Sequence, residues 1–302
     1  PLQRQTGNAR VYPQQHYVQP LIQRSHLFSA PVLQGQCCKR SAFMKWDSNQ
    51  YMRFGNERTR PSAELAAQIR LAAPKTVIDL GCGPGNSTEN LLNRFHEADI
   101  LGVDSSEDML ESAREKYKGT SLHFEQMNIS PDMTVDKRYD VVFSNACLQW
   151  IPNHKRLIPK VFDMVNDGGV MAIQLPLSHR LVIYDIVREL ENNEKWKGCF
   201  EGVEKIKTLE PEVYFDMLSN LTDDFNVWET VYYHRMKTYD DIIEWYKGTG
   251  LRPYFRVLSE DKQAEFCEDI LSRLREELPM QKNGEVIYKF PRLFFTAYKY
   301  GE

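Results

Sequence analysis

Two acids and three glycines at unusual spacing carry the first chemical signal in this 302-residue chain. In Val77-Ile78-Asp79-Leu80-Gly81-Cys82-Gly83-Pro84-Gly85-Asn86 an apolar run contains one acid, and glycines then alternate at 81, 83 and 85. Glycine has no Cβ, so such a turn lets a ligand approach the main chain. Asn86, Ser87 and Thr88 favour a helix start, whose free N–H groups attract an anion. Asp104 ends a second apolar run nineteen residues after Gly85. A carboxylate there can accept two hydrogen bonds from a ribose diol, with Ser105 beside it. It suits a helix N-cap equally well. Asn128 with Ile129 suits an adenine edge, and Asn145 the polar end of the same ligand. Simple turn roles remain open for both asparagines.

The spacing is GxGxG rather than the GxGxxG of dinucleotide sites, and no Gly-Lys-Ser/Thr follows. Asp79 would repel a pyrophosphate but suits an ammonium group, held directly or through water. An adenosine with an amino-acid tail meets these conditions, which points to S-adenosyl-L-methionine. Upstream, Trp46, Tyr51, Phe54, Arg58, Arg60 and Pro61 crowd rings and cations into residues 44–62. That arm reads either as a lid over the glycine turn or as an edge-packing segment.

The elements that must position these residues alternate strand and helix. Strands are expected at 76–80, 100–103, 121–126, 139–144 and 170–175, with helices at 86–95, 106–117 and 154–165 between them. Pro61 suits the first turn of a helix running to about Leu71. This order means an α/β fold, a Rossmann-like, mostly parallel sheet with helices on both faces, whose ligands bind beyond the carboxyl ends of the strands. Residues 178–222 read as a helical insertion after strand five, and 238–280 as a second one. Phe225–Met236 is a further strand. Asn283-Gly284 turns into a short strand at 286–289, with a separate closing strand at 293–300.

The motifs DLGCGPGNST, GVDSSEDML and SNACLQWIPNH resemble those of class I S-adenosylmethionine-dependent methyltransferases. The arm, Val231-Tyr232-Tyr233-His234, Thr249-Gly250-Leu251-Arg252-Pro253 and Phe290-Pro291-Arg292-Leu293-Phe294 resemble the trans-aconitate 2-methyltransferase family more narrowly. The likeness runs from about Trp46 to Tyr298. It implies seven strands with the last antiparallel, and methyl transfer to a carboxylate oxygen of a small polycarboxylic acid such as trans-aconitate. Arg58, Arg252 and Arg292, with Tyr233 and His234 as donors, are the implied acceptor anchors. Trp46 and Trp150 could flank a sulfonium, although Trp150 reads better as core. Asn128 stands where the family usually has Asp, and 177–200 matches poorly. Carboxylates are ionised at neutral pH, so no general base is expected, and positioning carries catalysis. Other readings are a methyltransferase for a hydrophobic acid and a non-catalytic S-adenosylmethionine-binding protein.

Composition bounds the partners. A net charge of −4 argues against nucleic acid, and no run of eighteen apolar residues suggests a membrane span. Six cysteines without CxxC or CxxH spacing suggest neither zinc nor a disulfide scaffold, and favour a reducing, cytoplasmic setting. A monomer acting on a small molecule is expected. Residues 1–43 hold five basic and no acidic residues and read as a disordered extension, with a mitochondrial transit peptide as the alternative. Cys82 and Cys147 are expected to be filler near the cofactor.

Overall fold

The computed structural model describes residues 55–203, 205 and 208–301, with side chains from residue 59 onward. The basic extension and most of the arm, including Trp46, Tyr51 and Phe54, lie outside the described residues, as does the side chain of Arg58.

Helix α1 (Gly55–Ala67) leads into β1 (Thr76–Leu80), α2 (Asn86–Arg94), β2 (Asp99–Asp104), α3 (Glu107–Lys116) and β3 (Leu122–Gln126). Then come β4 (Tyr139–Asn145), α4 (His154–Asp163) and a long β5 (Val165–Pro176). Helices α5 (Val182–Asn192) and α6 (Pro211–Ser219) precede β6 (Phe225–Met236). Helices α7 (Tyr239–Lys247), α8 (Arg252–Phe255) and α9 (Glu260–Glu277) precede β7 (Val286–Tyr298). The seven strands lie in the order β3-β2-β1-β4-β5-β7-β6. The first five are parallel, and β7 enters antiparallel between β5 and β6. Because β1 and β4 are neighbours, the chain leaves β1 toward one edge and returns to build toward the other. Their carboxyl ends therefore diverge and open a crevice.

The central strands read as near-continuous apolar runs because both faces are covered. Leu65 and Ile69 by α1, Leu91 of α2, and Ile183, Trp245 and Phe266 of the later helices belong to one buried cluster. Leu157 and Val161 of α4 and Tyr214 of α6 fill the other. The helices between β5 and β7 have an aromatic centre of their own. Trp196 is fully buried, lies 5.0 Å from Phe266, and donates its indole N–H to Asp269 at 2.7 Å. Helix α7 starts at a reciprocal cap, where Thr238 and Asp241 each accept the other's backbone N–H.

Two expectations are corrected. Pro61 lies inside α1 rather than in its first turn, since the helix begins at Gly55. The closing segment is one strand through Pro291 rather than two. The Pro291 carbonyl accepts the Leu177 N–H at 3.1 Å, just past the end of β5 at Pro176. The side on which proline lacks a donor is thus one where the regular ladder has already ended, so it costs little. Trp196→Ala should lower stability by about 3–5 kcal/mol, as for a large buried aromatic. Urea unfolding would check this, the loss appearing in the midpoint.

Candidate functional site

The crevice is a cavity of about 690 Å³ at the carboxyl ends of the parallel strands. Its floor is the glycine turn. Gly81, Gly83 and Gly85 all have positive φ, at 74°, 55° and 86°. A Cβ on Gly81 would sit 2.1 Å from the Cys147 sulfur, so that position admits only hydrogen. Gly85 faces elsewhere. Its missing Cβ makes room for the Tyr117 ring at 2.5 Å, and it does not line the cavity.

Asp79 lies beneath the turn, fully buried, with one carboxylate oxygen accepting from the hydroxyls of Ser87 at 2.6 Å and Thr88 at 2.7 Å. Its other oxygen has no partner among the described residues. Burial pushes this carboxyl up to about 6, against the two hydroxyl bonds that pull it down. Asp79 thus fastens the start of α2 to the end of β1 and is not itself on the cavity wall.

Asp104 is on the wall, and it also caps. One oxygen accepts the Gly83 N–H at 3.0 Å and the other the Ser106 N–H at 2.9 Å. A carboxylate has about four acceptor sites, so capacity for a diol remains. Cys82, Ser105, Asn128 and Ile129 line the same end, joined by Met109 and Met127. Asn145 lines it too, and its amide oxygen is buried without a partner among the described residues. The next residue, Ala146, has φ 54°, a conformation that costs about 1–3 kcal/mol in a non-glycine residue. The strained loop carries Gln149 and Trp150 onto the wall. Trp150 is 38% exposed, which corrects its reading as core: the turn after β4 throws the indole outward into the crevice.

The opposite end is cationic. Arg252 and Arg292 both line the cavity although each is buried. Burial, and next the neighbouring Arg256, hold the Arg252 guanidinium below its usual range. Arg292 donates to Gln174 at 3.0 Å and lies 4.4 Å over the Phe290 ring. Arg256 and Lys205 complete the set, Lys205 already paired with Glu191 at 2.6 Å. Among the described lining residues Asp104 is the one acid, against four cations. Asp104 ends β2, while Arg292 is on β7, four strand spacings away, or ~19 Å. The charges are segregated.

Tyr233 and His234 do not reach this end together. Successive strand residues point to opposite faces, so their joint assignment is corrected. Tyr233 is 62% exposed on the outer face. His234 points inward but sits behind Trp245 and Phe290, 5.0 and 5.7 Å from its ring. Burial first, then Arg292 and Arg60, push its pKa down to about 4, so it is neutral at physiological pH. Of the arm, Ser62 reaches the wall. Arg256 was findable in the sequence, since it follows Arg252 by four residues and shares its helical face. Lys205, Tyr184 and Tyr246 carried no comparable signal. Burial first, and then nearby acids, raise the Cys82 and Cys147 thiols, so both are protonated, unreactive filler. No group of three metal-ligating side chains occurs among the described residues.

A family model described as a methyltransferase domain matches residues 77–169. A trans-aconitate 2-methyltransferase of Variovorax paradoxus is 37% identical over 258 residues, covering 85% of this chain and 99% of that protein. One from Rhodopseudomonas palustris is 38% identical, covering 84% and 99%. Among solved structures, the YcgJ protein from Bacillus matches with TM-score 0.52 at 13% identity, over 80% of this chain and 100% of its own. A phosphoethanolamine N-methyltransferase of Haemonchus contortus, in complex with S-adenosyl-L-methionine, matches with TM-score 0.53 at 16% identity, over 84% of this chain and 56% of its own. These structures share the fold.

Asp79 makes a pH-dependent contribution with a definite sign. Its folded pKa lies above its unfolded value, so its contribution to stability is full below about pH 4 and is lost as pH rises through about 6. A shift of about two units corresponds to roughly 3 kcal/mol. Asp79→Asn should flatten this part of the stability profile between pH 4 and pH 6, read by urea denaturation at several pH values.

Proposed function

The chain belongs to the trans-aconitate 2-methyltransferase family, and on that premise we propose that this S-adenosylmethionine-dependent methyltransferase acts on a small polycarboxylic acid, trans-aconitate first among candidates. The products would be a monomethyl ester and S-adenosylhomocysteine. The observation that carries the acceptor reading is the segregation of four lining cations from the single lining acid. A ligand with several carboxylates can meet more of these cations than an apolar monocarboxylic acid can.

The donor end fits S-adenosylmethionine. The turn at Gly83 leaves room for a ligand against the main chain, Asp104 keeps acceptor capacity for a ribose diol, and the buried Asn145 oxygen asks for a donor. Asn128 and Ile129 would meet the adenine. Asp79 acts one layer below by holding the turn. When bound, the group supplies a methyl already made electrophilic by its sulfonium.

The protein's own task is then positional. Arg292 and Arg252 would hold the non-reacting carboxylates by directional, paired hydrogen bonds, with Arg256 and Lys205 nearer the opening. The remaining carboxylate is ionised at neutral pH and keeps a lone pair for attack, so no residue need take a proton. Orientation alone can supply roughly 7–11 kcal/mol of rate acceleration. The Trp150 indole and the Phe290 ring would exclude water from the reacting atoms. Arg58 and Trp46 keep their expected roles only as proposals, since they lie outside the described side chains.

The reading requires a small-molecule acceptor and no nucleic acid, and takes the chain to act as a monomer in a cytoplasmic setting. Among the described residues no helix is long and apolar enough to cross a membrane. Arg292→Ala should raise the acceptor KM by about ten- to a hundredfold, the weight of a charge-assisted pair. Cofactor affinity should stay nearly unchanged. Initial rates with a calorimetric titration check this, and equal loss of both affinities would reject Arg292 as an acceptor anchor.

A further inference from the structure

Gln174 is fully buried, yet it carries a polar amide into the apolar run of β5. It pairs in register with Asn145 of β4, while Pro176, two residues on, pairs with Arg292 of β7. Residues two apart on a strand share a face, so Asn145, Gln174, Pro176 and Arg292 occupy one face at the carboxyl end of the sheet. Asn145, Pro176 and Arg292 line the cavity, and Gln174 sits between them just below its surface.

The orientation of the amide is settled by its partner. Arginine only donates, and its Nη1 lies 3.0 Å from Gln174 Oε1, so the oxygen faces the guanidinium. The Nε2 is then directed elsewhere, and it has no partner among the described residues. A buried amide that satisfies one end and leaves its donor open is a poor stabilising element. A hydrophobic side chain of the same volume would fill the site without that penalty. What the amide does accomplish is local. It takes one N–H of the Arg292 fork and fixes the plane of the guanidinium, so that the other donors are aimed in one direction.

We propose that Gln174 is a positioning residue for the acceptor, acting through Arg292 rather than by contact with the ligand. This rests on the reading of Arg292 as an acceptor anchor. Gln174 aligns the fork before the acid arrives, so ordering entropy is not lost on binding. The sequence offers little warning of this role, because the residue stands within the apolar run Met171-Ala172-Ile173-Gln174-Leu175.

A double-mutant cycle tests it. Gln174→Met keeps the volume and removes the oxygen. It should raise the KM for trans-aconitate, or for whichever acid the wild type methylates best, by about tenfold, the weight of one hydrogen bond to a charged group. The Kd for S-adenosylhomocysteine, measured by calorimetry, should not move. In an Arg292→Ala background the same substitution should add almost nothing, because it has nothing left to orient. Additive effects, or an unchanged KM, would overturn the proposal. If Arg292→Ala alone leaves KM unchanged, the anchor reading fails and this proposal falls with it. If Arg292→Ala raises KM and Gln174→Met does not, the proposal alone falls. Should the Met variant fail to fold, Gln174→Glu keeps an oxygen toward Arg292 but neutralises its charge. Acceptor KM should then rise with cofactor affinity retained, and an unmoved KM would overturn the proposal.

Discussion

The geometry of the site hangs on the carboxylate of Asp104. By accepting the Gly83 N–H with one oxygen and the Ser106 N–H with the other, it ties the loop after β1 to the loop after β2. The same strand pair is joined once more where Gly81 and Cys82 both donate to the Val103 carbonyl. The positive φ values of the turn are therefore held by bonds from a neighbouring strand and not by the turn alone. Below it, Asp79 fastens the following helix through Ser87 and Thr88. Two acids thus make the floor rigid, and only one of them faces the cavity. Burial raises the Asp79 pKa, while its two hydroxyl partners hold the carboxylate in place beneath the turn.

The far end works by the opposite arrangement. Arg252 and Arg292 are withdrawn from water, and burial, with Arg256 second, holds the Arg252 guanidinium below its usual range. Cations grouped at one end of a cavity favour an anionic ligand, so the cavity gains most from a ligand with several carboxylates. At the same end the half-satisfied amide of Gln174 lies beside Arg292. Stability is given up where specificity is needed.

The parts legible in the sequence were those governed by local rules. The glycine turn, the parallel βα order and the acid ending β2 follow from main-chain sterics and apolar periodicity, and the sheet order agrees with them. The acceptor end was read less well because it is assembled from distant segments. Tyr233 and His234 adjoin in sequence, but strand alternation separates them, with Tyr233 on the outer face. Pro291 suggested a break, yet it falls where β5 has ended and the ladder needs no donor. Trp150 looked like core because the turn after β4 that brings it to the cavity wall leaves no mark in composition. Lys205 and Gln174 gain their meaning from tertiary neighbours alone.

The most direct test is methyl transfer from methyl-labelled S-adenosylmethionine to a panel of acids of similar size bearing one, two or three carboxylates. If the segregated cations select the acceptor, kcat/KM rises with carboxylate number, by about tenfold for each carboxylate that gains a guanidinium partner. An apolar monocarboxylic acid methylated as efficiently as the tricarboxylate would contradict the account.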